Sequence, residues 1–341
     1  MRYLPLSESI QKYLISWAEM DWPIDWEGVF GRSGDLAVEI GFGNGDFLIG
    51  LAQQHPDRLF VGIERAWGSV TRLFNRLHEG GIDQVRVMEM DAAFAIAHLF
   101  GPQSLSAVYI NFPDPWHKER HHRRRLIQPG FVQTLAERLK PGGRVLIATD
   151  QVEYAAWITE VLEGQSFLMS EYQTTYVHDM PGRKPTKYEQ KAIASELPIH
   201  YFVWQLKTAL DGAVLTEKVG EMPSVILDGS FDAEGLLRDF EPMVWQEKHR
   251  GVPVVIKVME VYGQLQDGHR LLTVMVSEGA LIQHFAISVV YRNEQSLLIK
   301  LAGVGQPRPT WGVKQAVGKV ANMIQKVNPT LKVTSSTVGD H

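Results

Sequence analysis

The 341-residue sequence contains no cysteine. That excludes a disulfide framework, a thiolate zinc site and a cysteine nucleophile, and it fits a reducing compartment. No apolar run approaches the roughly 18 residues that a membrane-spanning helix needs, so no membrane partner is expected. The opening MRYLPLSESIQKYLISWAEMDW lacks the charged start, long apolar stretch and small-residue cleavage site of a secretory signal. Cytoplasm is therefore the expected address. Positive charge is not in excess either, with 34 Lys and Arg against 39 Asp and Glu. Residues 1–209 carry 21 against 25 and residues 210–341 carry 13 against 14, so neither part is basic overall. Any nucleic-acid partner must be held by local patches. Internal repeats and low-complexity stretches are also missing.

What is present is a chain long enough for two domains, 45% apolar and 21% charged, which suits a sizeable core. After a Trp-rich lead-in with a short helix expected over Ser9–Met20, short apolar runs recur at Leu36–Phe42, Arg58–Glu64, Gln84–Asp91, Leu105–Phe112 and Gly143–Asp150. Helical spacing fills Gly45–His55, Trp67–Glu79 and Gln128–Leu139 between them. Strands alternating with helices read as parallel βαβ units. Runs near Phe167–Tyr176 and His200–Lys207 could extend one edge of that sheet. Beyond Ala209–Pro223 the style changes to IKVMEVYGQ, RLLTVMVSE, HFAISVVYR and SLLIKLAG, separated by QDG, GA and NEQ. That is the turn chemistry of an antiparallel meander, with a helix expected over Val313–Val327. Two domains are expected, 1–209 and 210–341, the second of α+β type. With Lys314, Lys319 and Lys326 on that last helix close to Arg308 and Trp311, the second domain reads either as an accessory that braces the first domain or touches RNA, or as a packing domain that only stabilises.

VEIGFGNGDFL places Gly41, Gly43 and Gly45 at the end of the first strand, with Glu39 just upstream. Glycine lets the backbone of a strand-to-helix turn approach a ligand closely. The spacing is G-x-G-x-G rather than the G-x-G-x-x-G of a dinucleotide site. Glu64 ends the second strand, where a carboxylate could accept from both hydroxyls of a ribose. Asp91 ends the third and could meet an adenine amine. The set suits adenosine without a diphosphate, which points to S-adenosylmethionine. The bland alternative is a trio of ordinary strand-end turns with exposed acids.

The fourth strand runs into Asn111-Phe112-Pro113-Asp114-Pro115-Trp116. Two prolines stiffen this turn, and its place past a parallel strand is where open α/β sheets put ligands. An amide or acid beside an aromatic can hold a nucleobase; a rigid Asx turn is the plainer reading. His117-Lys118-Glu119-Arg120-His121-His122-Arg123-Arg124-Arg125 follows at once, with five Lys and Arg against one Glu. It reads as a phosphate contact or as a solvated face. Arginine crowding and the histidine spacing speak against a metal. A second basic segment, Gly182–Lys191, contains Thr186 and Glu189 at capping-box spacing. Thr186 and Glu189 could open a helix near Tyr188, meet a base, or do both.

These elements together resemble the bacterial tRNA (guanine-N7-)-methyltransferases. The matching stretches are DWEGVFG, VEIGFGNGDFL, FVGIER, MDAAF, INFPDPWHKERHHRRRL, LKPGGRVLIATD and RKPTKYEQKA, in order over roughly residues 25–207. His117 stands where the family more often has proline, and Asp46 where glutamate is common. The resemblance implies a class I S-adenosylmethionine-dependent methyltransferase fold, Rossmann-like, with a seven-stranded, mostly parallel sheet. It implies methyl transfer to guanine 46 in the variable loop of tRNA. The S-adenosyl-L-methionine site would be lined by Glu39, Gly41, Gly43, Gly45, Glu64, Asp91 and Asp114, with Asp114 also the catalytic group. Substrate would meet Lys118, Asp150, Thr186, Lys187, Tyr188 and Glu189. RNA would be held by Arg120, His121, His122, Arg123, Arg124 and Arg125. Oligomeric state stays open between monomer and homodimer. Two other classes compete: a Rossmann oxidoreductase, and a non-catalytic RNA-binding protein on a methyltransferase fold.

Overall fold

The computed structural model describes residues 4–212, 220–232, 235–249, 251–263, 269–279, 281–305 and 307–338. The chain divides into two units, Met1–Glu217 and Lys218–His341.

The N-terminal unit begins with α1 (Leu6–Tyr13) and α2 (Trp26–Phe30), then runs β1 (Leu36–Ile40), α3 (Asp46–Gln54), β2 (Leu59–Glu64), α4 (Trp67–Glu79), β3 (Val85–Glu89), α5 (Ala92–His98) and β4 (Leu105–Asn111). It continues with α6 (Pro129–Arg138), β5 (Leu139–Thr149), α7 (Val152–Glu163), β6 (Leu168–Ser170), α8 (Lys187–Ala194) and β7 (His200–Leu206). The strands form one sheet in the order β3-β2-β1-β4-β5-β7-β6. The pairs from β3 to β5 are parallel, and β7 runs antiparallel to both of its neighbours. This is the mostly parallel seven-stranded sheet of a class I methyltransferase. The central strand β1 is buried along its whole length, as a parallel strand covered on both faces must be, yet Glu39 sits inside it. Helix α4 buries Val70, Leu73, Phe74 and Leu77, an i, i+3, i+4, i+7 stripe.

The helix expected over Ser9–Met20 is shorter. At Leu14 the chain turns extended, and Ile15 N–H bonds the Val87 carbonyl at 2.9 Å, so edge pairing with β3 ends α1. Gly45, expected to make room for ligand, instead adopts φ 76° before α3, and a Cβ there would meet Leu73 Cδ1 at 2.5 Å. Its role is helix-to-helix packing. Asp91 does not end the third strand, which stops at Glu89; it caps α5 by accepting from the Phe94 N–H at 3.0 Å.

The C-terminal unit contains β8 (Ser224–Asp228), β9 (Met243–His249), β10 (Val252–Gly263), β11 (Arg270–Glu278), β12 (Leu281–Asn293), β13 (Ser296–Leu301), α9 (Trp311–Val327) and β14 (Lys332–Ser336). The sheet is antiparallel throughout, in the order β14-β8-β13-β12-β11-β10-β9. Helix α9 covers one face with Val313, Ala316, Val317, Val320 and Ile324. The expected meander is the middle of this sheet. Strands β8, β9 and β14 add to it; β14 is exposed throughout, and β9 turns Met243 and Trp245 toward the core but continues that face with Glu247 and His249. The QDG turn, Ala280 of the GA turn, and residues 213–219 of the expected boundary lie outside the described residues. Arg308 is 2% exposed and Lys319 pairs with Glu247 over the Trp245 ring, so neither offers a free cation to RNA. Among the described residues no helix is long and apolar enough to cross a membrane.

Candidate active site

A cavity of about 280 Å³ opens at the carboxyl ends of β1 and β4, where the strand order reverses direction. Open α/β sheets bind ligands at this switch point. Its walls are Glu39 with Gly41 to Asn44, then Asp46, Phe47, Ser69, Arg72, Asn111 and Thr186 to Tyr188. Of the residues singled out in the sequence, Glu39, Gly41, Gly43, Thr186, Lys187 and Tyr188 therefore meet around one space. Gly41 and Gly43 have φ of 72° and 53°, and a Cβ on either would meet nothing within 4 Å. The loop leaves room where a ligand would lie. Two side chains hold it in place. Glu64 accepts from the Gly43 N–H at 3.0 Å and from the Arg65 and Ala66 N–H groups at 2.8 and 3.1 Å. Arg76 pairs with Asp46 at 2.8 Å and donates to the Asn44 carbonyl. Three of the roughly four lone-pair sites of the Glu64 carboxylate are thus used by the backbone, which leaves about one.

Glu39 is 1% exposed. One carboxylate oxygen accepts from Asn111 Nδ2 at 3.0 Å; the other, Oε2, is buried without a partner. Burial pushes the carboxyl up to about 7, against the Asn111 hydrogen bond and the Arg183 charge, which favour the ionised form. An unpartnered buried carboxylate oxygen is costly unless something cationic completes it. On the same cavity wall, Arg72 is exposed and donates to Ser69 Oγ at 3.0 Å. Asp46 is already paired with Arg76, so the lining offers one carboxylate oxygen without a partner, on Glu39, beside the exposed cations Arg72 and Lys187. That combination matches a ligand that carries both an ammonium and a carboxylate. S-adenosylmethionine carries that pair on its amino-acid end, so the residues present fit it.

From the Gly182–Lys191 segment, Thr186, Lys187 and Tyr188 complete the lining. Thr186 caps α8 by accepting from the Glu189 N–H at 3.0 Å, and Glu189 returns the contact to the Thr186 N–H at 3.1 Å. This is a complete capping box. Glu189, expected to touch substrate, is 3% exposed and faces inward. Its oxygens take Arg183 Nε at 3.2 Å and the Tyr201 hydroxyl at 2.6 Å besides the Thr186 amide. With its acceptors filled, it has no free oxygen for a base; it shapes the segment instead. Arg183 also turns inward rather than joining a basic surface, and Tyr188 stacks on Phe112 at 6.2 Å.

The turn after β4 is strained. Phe112 and Trp116, both bulky, adopt left-handed backbone at φ 50° and 47°. They bracket Pro113-Asp114-Pro115 and push Asp114 outward. Asp114 is exposed, and no side-chain hydrogen bond engages it among the described residues. Asp114, Asp91, Glu64, Lys118 and Asp150 stand outside the cavity lining. Asp150 follows β5 and accepts from Gln151 Nε2 at 3.0 Å.

The basic run forms a short 3₁₀ turn over Glu119–Arg124. Lys118, Arg120, Arg123 and Arg124 are exposed, and Arg124 lies 5.1 Å from the centre of the Trp116 ring. His121 packs edge-on against Trp116, and His122 contacts Arg125 Nη2 at 2.9 Å. Arg125, expected to hold RNA, is 5% exposed. It donates to the Pro115 carbonyl at 2.8 Å and lies over the Tyr154 and Trp157 rings. It buttresses the Pro-Asp-Pro turn and cannot reach a phosphate. Among the described residues no group of three or more His, Asp or Glu is placed to hold a metal ion. Sequence reasoning missed Arg72 and Tyr201, which no local motif marks; it offered the Asn111 amide to a nucleobase, whereas the structure bonds that amide to Glu39 and Arg183.

Residues 33–201 match a family model described as "Putative methyltransferase". The chain is 39% identical over 184 residues to a tRNA (guanine-N(7)-)-methyltransferase of Cutibacterium acnes, covering 53% of this chain and 67% of that one. To its counterpart in Halorhodospira halophila it is 37% identical over 185 residues, 54% of this chain and 80% of that one. A counterpart in Thermotoga maritima is 31% identical over 302 residues, 87% of this chain and 92% of that one, so this likeness reaches into the C-terminal unit. The glycine loop, the strained NFPDPW turn and the capped α8 segment all lie within the matched stretch, and the chain belongs to the tRNA (guanine-N(7)-)-methyltransferase family.

Proposed function

We propose that this chain methylates N7 of guanine 46 in the variable loop of tRNA, in the cytoplasm. S-adenosylmethionine, when bound, supplies a methyl group activated on a sulfonium. The unpartnered Glu39 oxygen in the switch-point cavity is the observation that carries this reading. Glu39 Oε2 takes the ligand's ammonium and Arg72 its carboxylate. Gly41 and Gly43 let the backbone lie against it. Glu64 offers its remaining lone pair to a ribose hydroxyl, and Asp91 offers the oxygen not used as a cap to the adenine amine.

Guanine N7 has a free lone pair at neutral pH, so the site needs alignment more than a general base. Lys118, Asp150, Thr186, Lys187 and Tyr188 orient the base. Asp114 is the catalytic group: its exposed carboxylate answers the positive charge that moves onto the purine as the N7–methyl bond forms. Arg120, Arg123 and Arg124 hold phosphates flanking the target. Incubation with labelled donor and a tRNA transcript, followed by mapping of the modified base, tests this. Label must appear at guanine 46 and vanish from a transcript with adenine there; label that persists in that transcript overturns the position.

A further inference from the structure

Arg183 lies 72 residues from Asn111 in sequence, yet its Nη2 donates to Asn111 Oδ1 at 2.5 Å. Its Nε lies 3.2 Å from both oxygens of Glu189. The guanidinium covers the Phe47 ring at 4.3 Å and leaves 6% of the side chain exposed. Asn111 passes the contact on, donating from Nδ2 to Glu39. Its amide is thereby fixed in orientation, since a flipped amide would set its oxygen against the Glu39 carboxylate and its NH₂ against the Arg183 cation. At the far end Glu189 holds the Thr186 amide and the Tyr201 hydroxyl. The hydrogen bonds run unbroken from Glu39, in the lining of the cavity, to the capping box that seats Thr186, Lys187 and Tyr188 in the same lining.

We propose that Arg183 is a positioning residue that couples occupancy of Glu39 by the donor's ammonium to the seating of residues 186–189 over the cavity. The proposal rests on the reading that this cavity holds the methyl donor. A cation on Glu39 Oε2 holds Glu39 ionised. The Asn111 bond is then charge-assisted, and the polarised amide oxygen becomes a better acceptor for Arg183. Ligand-free, burial holds the Glu39 carboxyl up at about 7; Glu64 and Asp46 add to that, while Asn111 and Arg183 oppose it. Near neutral pH the relay is therefore only partly charged until the donor arrives. Coupling is reciprocal, so a seated α8 also tightens donor binding. Arginine suits the role because its planar fork serves two acceptors at once, which a lysine ammonium on a flexible stem does not.

The test uses S-adenosylhomocysteine, which keeps the amino-acid end, with calorimetry for binding and amide hydrogen exchange for α8. In the wild-type chain, saturating ligand should slow exchange in α8 by at least ~5-fold. Arg183→Gln should still bind at higher ligand concentration, but with no slowing at saturation. Arg183→Lys should behave like Arg183→Gln in exchange while keeping its positive charge. The pH profile separates the two substitutions. Wild-type affinity should rise as pH passes 7 and fall again only at higher pH, where the ligand's own ammonium, favoured by its neighbouring carboxylate, deprotonates. Arg183→Gln should move the rising limb to higher pH, and Arg183→Lys should leave it near wild type; a residue that only packs would move neither limb. Asn111→Ala cuts the relay while leaving the Arg183–Glu189 pair intact, and decides the matter should Arg183→Gln not fold. Full protection of α8 by ligand in that variant overturns the coupling. Wild-type binding without protection of α8 overturns it too, while sparing the donor site; absence of wild-type binding overturns both.

Discussion

The two units bury polar groups on different terms. In the C-terminal unit, Gln283 bonds the Arg308 backbone and the Thr310 hydroxyl, and Glu278 receives the Thr310 hydroxyl and the Gly312 N–H at the start of α9. Those contacts fasten a helix to a sheet. Among the described residues of that unit the buried side-chain orphan is the Trp311 indole N–H, a neutral donor whose ring stacks on His249. In the N-terminal unit the relay from Glu189 through Arg183 and Asn111 ends on an ionisable group with one oxygen unused. A polar network that ties a helix to a sheet stabilises; one that stops at a cavity on a buried acid stores a binding interaction for a ligand.

Replacing Glu39 should break this contrast most visibly. Its carboxyl titrates near 7 in the fold against an ordinary value of 4.5. Below pH 4.5 both folded and unfolded chains hold the proton, and the group costs nothing. Between pH 4.5 and about 7 the unfolded chain releases it first, so stability falls as pH rises, by roughly 3 kcal/mol in all. Above 7 the penalty is constant. Glu39→Gln removes it, so the ligand-free variant should melt above wild type at pH 8 and match it near pH 4.5. S-adenosylhomocysteine should bind it about 10- to 100-fold more weakly, as expected when one charged hydrogen bond is removed. Equal melting of both chains at pH 8 would show that Glu39 carries no buried charge. Glu278→Gln in the C-terminal unit should do the opposite, lowering the melting point and leaving ligand affinity alone.

Asp114 sharpens the contrast from the exposed side. Asp114→Ala should cut methyl transfer by at least ~10²-fold, the range for one preorganised polar group. Its melting point should stay near wild type, because Arg125 and the two prolines hold the turn without it. Turnover close to wild type would remove Asp114 from the chemistry.

The sequence made the sheet legible because a central parallel strand is a short apolar run and a covering helix repeats near every 3.6 residues. The glycine loop and the capping box were legible for the same reason: each is a local geometry with a local signature. What stayed hidden depends on contacts between distant segments. Arg183 reads as one charge in a basic patch until the fold brings Asn111 to it. Arg125 is indistinguishable from Arg123 and Arg124 in a run of three; only the 3₁₀ turn decides which one faces Tyr154 and Trp157. Edge strand β14 was missed because it is exposed throughout, and β9 because its inward face, after Met243 and Trp245, continues with the polar Glu247 and His249.

That split within the arginine run gives the third test. Replacing Arg120, Arg123 and Arg124 with Ala should weaken tRNA binding and lower the salt slope by somewhat under one unit for each phosphate no longer neutralised. Donor affinity and melting point should hold. Arg125→Ala should instead cost about 2 kcal/mol of stability, for a buried charged hydrogen bond and its aromatic packing. A salt slope unchanged in the triple variant would make the run a solvated face.

The smallest effect is expected in the C-terminal unit, at Lys319. It sits mid-way along α9, where a cation could be mistaken for part of an RNA-binding row with Lys314 and Lys326. Yet its ammonium is paired with Glu247 on β9 and lies 5.6 Å from the centre of the Trp245 ring, with 17% of the side chain exposed. Lys319→Met keeps the apolar stem against that ring and removes only the partly screened pair. It should therefore cost no more than about 1 kcal/mol of stability. The tRNA salt slope should be unchanged, because an ammonium already neutralised by a carboxylate releases no counterion from the nucleic acid. A slope lowered by close to one unit would mean that Glu247 yields its partner to a phosphate, and that the C-terminal sheet edge belongs to the RNA-binding surface.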